Sequence, residues 1–316
     1  MSRIVVVGAG AVGQFYGGQL IHAGHEVAFL ARRDAAVLAS RGLVINQAAT
    51  PQITSSTCPV LHLAPGTFKV AQDPRLLTPP DWLLIALKTT ALGSLPHLIG
   101  PLIGPATRVV ALCNGLGVEE RLAALADPQR ILGALCFVCI NRDADGTIRH
   151  LAHGQLTVGS LAEDAGETRR LQNLWTSAGV TSHAPSSLRE ARWRKLVWNI
   201  PFNGLGVVHD ATTDRILADP LLLKEARLLM RETIAAGNAD LALHQRNERI
   251  DDAWALEQEA MTYEMADYAP STLLDARMGA PLELDALFGE PLRRAQGLGL
   301  ASPAMARLWA DLNRRV

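Results

Sequence analysis

A doubly wound parallel α/β sheet followed by an all-helical domain is the fold class this sequence predicts. Three observations predict it. Strand-like and helix-like patterns alternate through the first half. A Gly-rich turn joins the first run to the first helix. Strand-like runs nearly vanish beyond about residue 186, where helical periodicity takes over. Such alternation is the rhythm of βαβ units, which build a parallel sheet with helices on both faces.

Arg3–Val7, Glu26–Ala31, Trp82–Leu87, Arg108–Cys113 and Ile131–Ile140 read as strands, with Gly- or Pro-marked turns among them. A helix-length amphipathic segment lies between the first two. Residues 42–80 fit less well: their Thr, Ser and Pro clusters suggest a hairpin excursion without a firm assignment. In Ser186-Ser187-Leu188-Arg189-Glu190, Ser187 reads as an N-cap and Glu190 completes a capping box. Helical patterns then cover Pro220–Ala236, Asp251–Ala266, Ser271–Arg277, Leu282–Gln296 and Pro303–Arg314. The expected domains are 1–185, α/β, and 186–316, helical.

Composition narrows the partners. The 316 residues carry 30 Lys+Arg against 31 Asp+Glu, a net charge of −1, which excludes a general polyanion binder such as a nonspecific nucleic-acid protein. With 48% hydrophobic residues the chain can fill one large core or two moderate ones. The longest apolar stretch, Trp82 to Gly104, is interrupted by Lys88 and His97, so no membrane span is expected. No targeting segment is visible, and the expectation is a cytoplasmic protein. Four cysteines (Cys58, Cys113, Cys136 and Cys139) are too few for a disulfide scaffold. Cys136 and Cys139 form one CxxC, but in a strand residues three apart point to opposite faces. His22 with His25 and His150 with His153 have suggestive spacings, yet no ligand cluster accompanies them, and no metal is expected.

Gly8-Ala9-Gly10-Ala11-Val12-Gly13 follows the first strand and opens the first helix. Gly8 permits the tight turn, Gly10 lets a pyrophosphate approach the backbone, and Gly13 lets helix and strand pack closely. The helix N-terminus then offers N–H groups and partial positive charge to phosphate. This is the dinucleotide-binding turn of a Rossmann-type domain. NAD sites place an acid at the end of the second strand, whereas NADP sites place Arg near the 2′-phosphate. Here the strand runs into Arg32-Arg33-Asp34. Arg32 therefore favours NADP(H), with Arg33 auxiliary or exposed; a solvated basic loop is the bland alternative.

Two further strands end in polar residues on the edge where such sheets bind ligands. One runs into Lys88-Thr89-Thr90 and the other into Asn114-Gly115-Leu116-Gly117. Asn114 carries both donor and acceptor, which suits it to bridge a carboxamide and a substrate oxygen. Taken singly, Lys88 or Asn114 is as readily a loop residue; their shared edge favours a site. In the helical half, Lys195, Asn199 and Asn203 are spaced four apart and share one helix face. A solvated outer face is the alternative, and Trp198 and Phe202 within the same segment argue against it.

With these motifs the chain resembles the ketopantoate reductase family (2-dehydropantoate 2-reductases). The likeness rests on the GAGAVG turn, Lys88, Asn114-Gly115, the Lys195–Asn199–Asn203 stripe, the segment from Gly146 to Gly159, and Ser271 to Asp275 followed by Glu283. It implies a Rossmann domain that binds NADPH, a helical domain, and a cleft for cofactor and substrate. It implies reduction of ketopantoate to (R)-pantoate, a step toward pantothenate and coenzyme A. Lys195 would be the general acid and Glu283 would orient it and contact the cofactor. Asn199 and Asn203 would hold substrate oxygens, Ser271 the carboxylate end, and Asn114 would lie between nicotinamide and substrate. Asp275 would be structural.

Three departures bear on the substrate. Cys113 stands where the family usually has Gln, Pro201 interrupts the stripe, and Val207 to Thr213 lacks an Asn found in some members. A reductase of another branched 2-oxo acid is the nearest alternative. A non-catalytic NADP(H)-binding redox sensor is the alternative from another class, against which Lys195 with Glu283 argues. A homodimer is the base-rate expectation.

Overall fold

The computed structural model describes residues 1–47 and 60–315. They group into two compact units: Met1–Cys113 with Val118–Leu188, and Asn114–Gly117 with Arg189–Val316.

The first unit holds ten strands: β1 Arg3–Val7, β2 Glu26–Leu30, β3 Leu43–Gln47, β4 Val60–Leu63, β5 Lys69–Ala71, β6 Trp82–Ile85, β7 Arg108–Ala111, β8 Ile131–Arg142, β9 Ile148–Ser160 and β10 Ser182–His183. Its helices are α1 Ala11–His22, α2 Ala35–Arg41, α3 Leu95–Ile99, α4 Val118–Ala123 and α5 Ala165–Ser177. All ten strands form one sheet, in the order β4-β3-β9-β8-β7-β6-β1-β2-β5, with β10 beside β9. Pairing is parallel except between β3 and β4 and between β8 and β9. The sheet is thus mostly parallel and doubly wound, as the alternation predicts.

Beyond the arginines that open β1 and β7, the central strands β1, β6 and β7 are apolar at every position because both faces are covered. Ile4, Val6, Leu84 and Val110 point into one core with Phe15, Tyr16 and Phe29 from β2. Val5, Val7, Leu83, Ile85, Val109 and Ala111 point into the other, against Leu95 and Ile99. Helix α1 approaches the sheet through small residues: a Cβ at Gly17 would lie 2.6 Å from the Phe29 ring, and one at Gly18 would lie 2.6 Å from Ile45.

The β3–β4 pair answers part of the hairpin question over residues 42–80; the Thr/Ser/Pro cluster between those strands lies outside the described residues. Cys58 lies there too. Cys113, Cys136 and Cys139 form no disulfide. The β8–β9 hairpin slips register between Phe137 and Val138 and again between Cys139 and Ile140.

The second unit is helical: α6 Leu188–His209, α7 Thr213–Ala218, α8 Pro220–Leu243, α9 Ala253–Tyr263, α10 Ser271–Arg277, α11 Glu290–Gly297 and α12 Pro303–Asn313. Helix α6 starts where the capping box predicts and runs through Pro201 without a break. Its apolar face (Trp193, Leu196, Val197, Ile200 and Phe202) fills the core with Leu229, Met230 and Leu308. Asp219 opens α8 by accepting from the N–H groups of Leu221 and Leu222. Glu232 of α8 does the same for α12, its carboxylate taking the N–H groups of Ala304 and Met305 at 2.9 Å each.

One predicted helix differs. Leu282–Gln296 is not a single α-helix: Asp285–Gly289 winds as a π-helical turn before α11 begins. Pro291, second in α11, has no N–H to give back to Leu287, which frees the preceding turn to widen. Among the described residues no helix is long and apolar enough to cross a membrane.

Candidate active site

The Gly-rich turn leaves β1 at Val7. Gly8 has φ +99, a conformation L side chains rarely adopt, and its N–H donates to the Leu30 carbonyl at 3.0 Å. A Cβ on Gly13 would lie 2.1 Å from the Gly8 carbonyl oxygen, so only glycine lets helix and turn meet there. Gly10 differs from both. Its φ −73 and ψ −176 suit any residue, and a Cβ there would meet no atom of the described residues within 4 Å beyond its chain neighbours. Neither backbone strain nor packing against the described residues calls for glycine at 10. Buried Gln14 pins the turn by donating from Nε2 to the Ala9 carbonyl at 2.7 Å. The first turn of α1, beginning Ala11-Val12-Gly13, holds no acidic residue, and its N–H groups have no acceptor within the helix. These residues fit a dinucleotide's phosphates.

The neighbouring strand ends lie level with this turn. Val7 is in register with Leu30 on one side and Ile85 on the other. Beyond Leu30, the Arg32 carbonyl accepts from Gln72 Nε2 at 3.1 Å, and its side chain is exposed. Among the described residues Arg32 has no carboxylate partner. Asp34, the one acid nearby in sequence, is engaged by Arg142 at 2.6 Å. Beyond Ile85, exposed Lys88 opens a short 3-10 turn, Thr89–Ser94. Buried Cys113 donates from Sγ to the Leu87 carbonyl at 3.1 Å, tying the end of β7 to the residue before Lys88.

Within the helical unit, the polar stripe on α6 is assembled as its spacing predicts. Half-buried Lys195 donates from Nζ to Asn114 Oδ1 at 2.8 Å. Asn199 and Asn203 are 7% and 3% exposed, which rules out a solvated face. Asn203 Nδ2 reaches Asn199 Oδ1 at 3.5 Å, and Asn203 Oδ1 accepts the Thr272 N–H at 3.1 Å. Asn203 therefore fastens the first turn of α10 to the stripe. Ser271, first in α10, is exposed. Glu283 is half-buried two residues before the π-helical turn, and its carbonyl accepts from Leu287 N at 3.3 Å. Trp198 stacks on Phe202 at 5.2 Å and donates from Nε1 to Thr262 Oγ1 at 2.9 Å, walling the stripe on its aromatic side.

A buried carboxylate holds the start of α6. Asp240 of α8 accepts from Trp193 Nε1 at 2.8 Å and Arg189 Nη1 at 3.0 Å, with Arg294 at 3.6 Å. Burial alone would raise this carboxyl. The Trp193 and Arg189 hydrogen bonds, with Arg189 and Arg294 charges close by, outweigh it and hold the carboxyl below its ordinary value.

Thr272, Asp240 and the Ala286 carbonyl, which accepts the Leu116 N–H at 2.9 Å, escaped sequence reading. Thr272 acts through its backbone N–H and Ala286 through its backbone carbonyl, which no side-chain pattern reveals; Pro291 was the one available sign of the widened turn. Among the described residues no group of three or more His, Cys, Asp or Glu gathers as a metal site. His25 and His150 are engaged locally, His25 with Ser177 Oγ at 3.0 Å and His150 with the His153 carbonyl at 2.7 Å.

Known proteins share this sequence and architecture. Residues 4–163 match the family described as Ketopantoate reductase PanE/ApbA, and residues 187–315 match Ketopantoate reductase PanE/ApbA C terminal. The 2-dehydropantoate 2-reductase of Nostoc sp. is 33% identical over 320 residues, covering 98% of this chain and 94% of that protein. The crystal structure of 2-dehydropantoate 2-reductase from Geobacter metallireducens GS-15 superposes with a TM-score of 0.92 at 35% identity, covering 99% of this chain and 100% of that one. D-mandelate dehydrogenase with NADH and anilino(oxo)acetate, at 18% identity, shares the fold with a TM-score of 0.85 over 99% of this chain and 98% of its own. The chain is an oxidoreductase and belongs to the ketopantoate reductase family.

Proposed function

We propose that this enzyme reduces ketopantoate to pantoate with NADPH, Lys195 delivering the proton. The observation that carries the reading is the 2.8 Å hydrogen bond from Lys195 Nζ to Asn114 Oδ1 at the head of a buried Asn stripe. The nicotinamide cofactor, when bound, supplies the hydride to the carbonyl carbon. The chain's own residues do the rest.

The Lys195 ammonium carries three N–H donors, one of them on Asn114. It can hold the keto oxygen in the ground state and protonate it as negative charge develops there. Asn199 lines the approach with a side-chain amide and Ser271 offers an exposed hydroxyl suited to a carboxylate. Asn203, whose Oδ1 accepts the Thr272 N–H, would offer its Nδ2 to a substrate oxygen, and Glu283 would orient Lys195. Gly8 to Gly13 would take the pyrophosphate, with Lys88 and Asn114 toward the nicotinamide end. Arg32, without a carboxylate partner among the described residues, would meet the 2′-phosphate, since a guanidinium pairs bidentately with phosphate.

A second reading, reduction of another branched 2-oxo acid, draws on Cys113 and Pro201, the departures nearest Asn114 and the stripe. Measuring NADPH oxidation over a panel of 2-oxo acids decides between them. Ketopantoate should give the highest kcat/KM; if it ranks among the poorest substrates, the second reading replaces the first.

A further inference from the structure

Asn114 can aim Lys195 only as well as its own backbone is held. That backbone is gripped by the π-helical turn Asp285–Gly289. Leu116 N–H donates to the Ala286 carbonyl at 2.9 Å. Gly115 lies flat against the same carbonyl. Its φ is +89, and a Cβ there would sit 2.4 Å from Ala286 O and 2.7 Å from Ala286 Cβ. Both the conformation and the contact demand glycine.

The turn itself is braced. Arg293 reaches Asp285 with Nη1 and Glu290 with Nη2, each at 2.8 Å. These carboxylates are five residues apart, the hydrogen-bond spacing of a π-helix. Gly289 makes room for the brace, because a Cβ there would crowd Asp285 Oδ1 at 2.9 Å and the Trp309 ring at 3.0 Å.

We propose that Gly115 and the π-helical turn form a backbone latch that positions Asn114, and through it the Lys195 ammonium, for proton delivery. The proposal rests on the reading of Lys195 as proton donor. Gly115, Ala286 and Arg293 are positioning residues: they act on Asn114 through backbone, and a displacement of about 1 Å at a proton donor can cost on the order of 100-fold in rate. The π-helical turn suits the task because the residue five beyond Ala286 is Pro291, which has no N–H to claim the Ala286 carbonyl that Leu116 uses.

The test compares Gly115→Ala with Gly117→Ala in the full-length enzyme. Gly117 has a similar φ of +80, but a Cβ there meets nothing closer than Glu290 Cγ at 3.6 Å. The two variants share the backbone strain and differ in the collision with Ala286. Two readouts apply: steady-state kinetics, and competitive labelling of Lys195 by limiting acetic anhydride, quantified by mass spectrometry. Gly115→Ala should lower kcat by about 10- to 100-fold with KM within about threefold, and Lys195 should label at least about threefold faster as its amine leaves Asn114. Gly117→Ala should stay within about twofold on both readouts. In an Asn114→Ala background, Gly115→Ala should cost less than about twofold more, because coupled residues are not additive.

Equal losses in the two glycine variants, additive losses with Asn114→Ala, or unchanged Lys195 labelling would overturn the latch. If Gly115→Ala does not fold, Arg293→Ala removes the brace from an exposed position; faster Lys195 labelling supports the latch and an unchanged rate overturns it. Labelling needs no substrate. Failure of every 2-oxo acid to turn over would sink the proposed function, while labelling would still decide the latch.

Discussion

Asn203 Oδ1 accepts the backbone N–H of Thr272 at 3.1 Å, joining the polar stripe of α6 to the first turn of α10. The bond supplies an acceptor to a helix start whose N-cap residue, Pro270, has no side-chain cap. Asn203→Ala should therefore lower stability by about 1 kcal/mol, the worth of a lost cap, and Asn203→Asp should restore much of it. Thermal melts of the two variants check this. Equal melting temperatures for Asn203→Ala and wild type would remove the capping role.

Gly10 and Gly13 should separate binding from folding. Gly10→Ala adds a methyl where, among the described residues, no atom beyond its chain neighbours lies within 4 Å, so stability should change by no more than about 0.5 kcal/mol. Its Kd for NADPH should rise about tenfold or more, a loss of about 1.4 kcal/mol, because the methyl would lie in the proposed path of the pyrophosphate. Gly13→Ala drives a methyl into the Gly8 carbonyl at 2.1 Å and should lose stability first. Denaturation and fluorescence titration on both variants distinguish the two roles.

Arg32→Ala should raise the KM for NADPH by about 10- to 100-fold, the worth of a charge-assisted bond. The KM for NADH should stay within about twofold. An equal rise for both cofactors would remove the 2′-phosphate assignment.

Acid stability should carry the mark of Asp240. Its carboxyl titrates below the ordinary value in the folded chain, so its contribution is complete above about pH 4 and is lost as pH falls through the lower folded value. Asp240→Asn should cost on the order of 3 kcal/mol at neutral pH, since it leaves Arg189 and Arg294 facing a neutral group. It should also flatten the stability profile below about pH 4. Urea melts from pH 7 to pH 3 provide the comparison.

Some of this was legible in the chain because its cause is local. Gly8 and Gly13 are dictated by a turn and a contact within six residues, and the four-residue spacing of Lys195, Asn199 and Asn203 follows from helix geometry alone. What the stripe bonds to was not legible. Thr272 lies 69 residues beyond Asn203 and takes part through its backbone. The π-helical turn was hidden for a related reason: five residues of wider winding are too few to disturb the apolar periodicity over Leu282–Gln296, and only Pro291 marked the missing N–H. Arg142, which occupies Asp34, sits at the far end of β8, so the isolation of Arg32 from that acid emerges only once the strands are in place.

Proton delivery by Lys195 is the central claim, and one kinetic comparison tests it most directly. Wild type and Lys195→Ala are assayed for NADPH oxidation with saturating ketopantoate, with NADPH binding measured separately by fluorescence. The account predicts a fall in kcat of about 100- to 10,000-fold with NADPH Kd within about threefold of wild type. A kcat for Lys195→Ala within about twofold of wild type would contradict it.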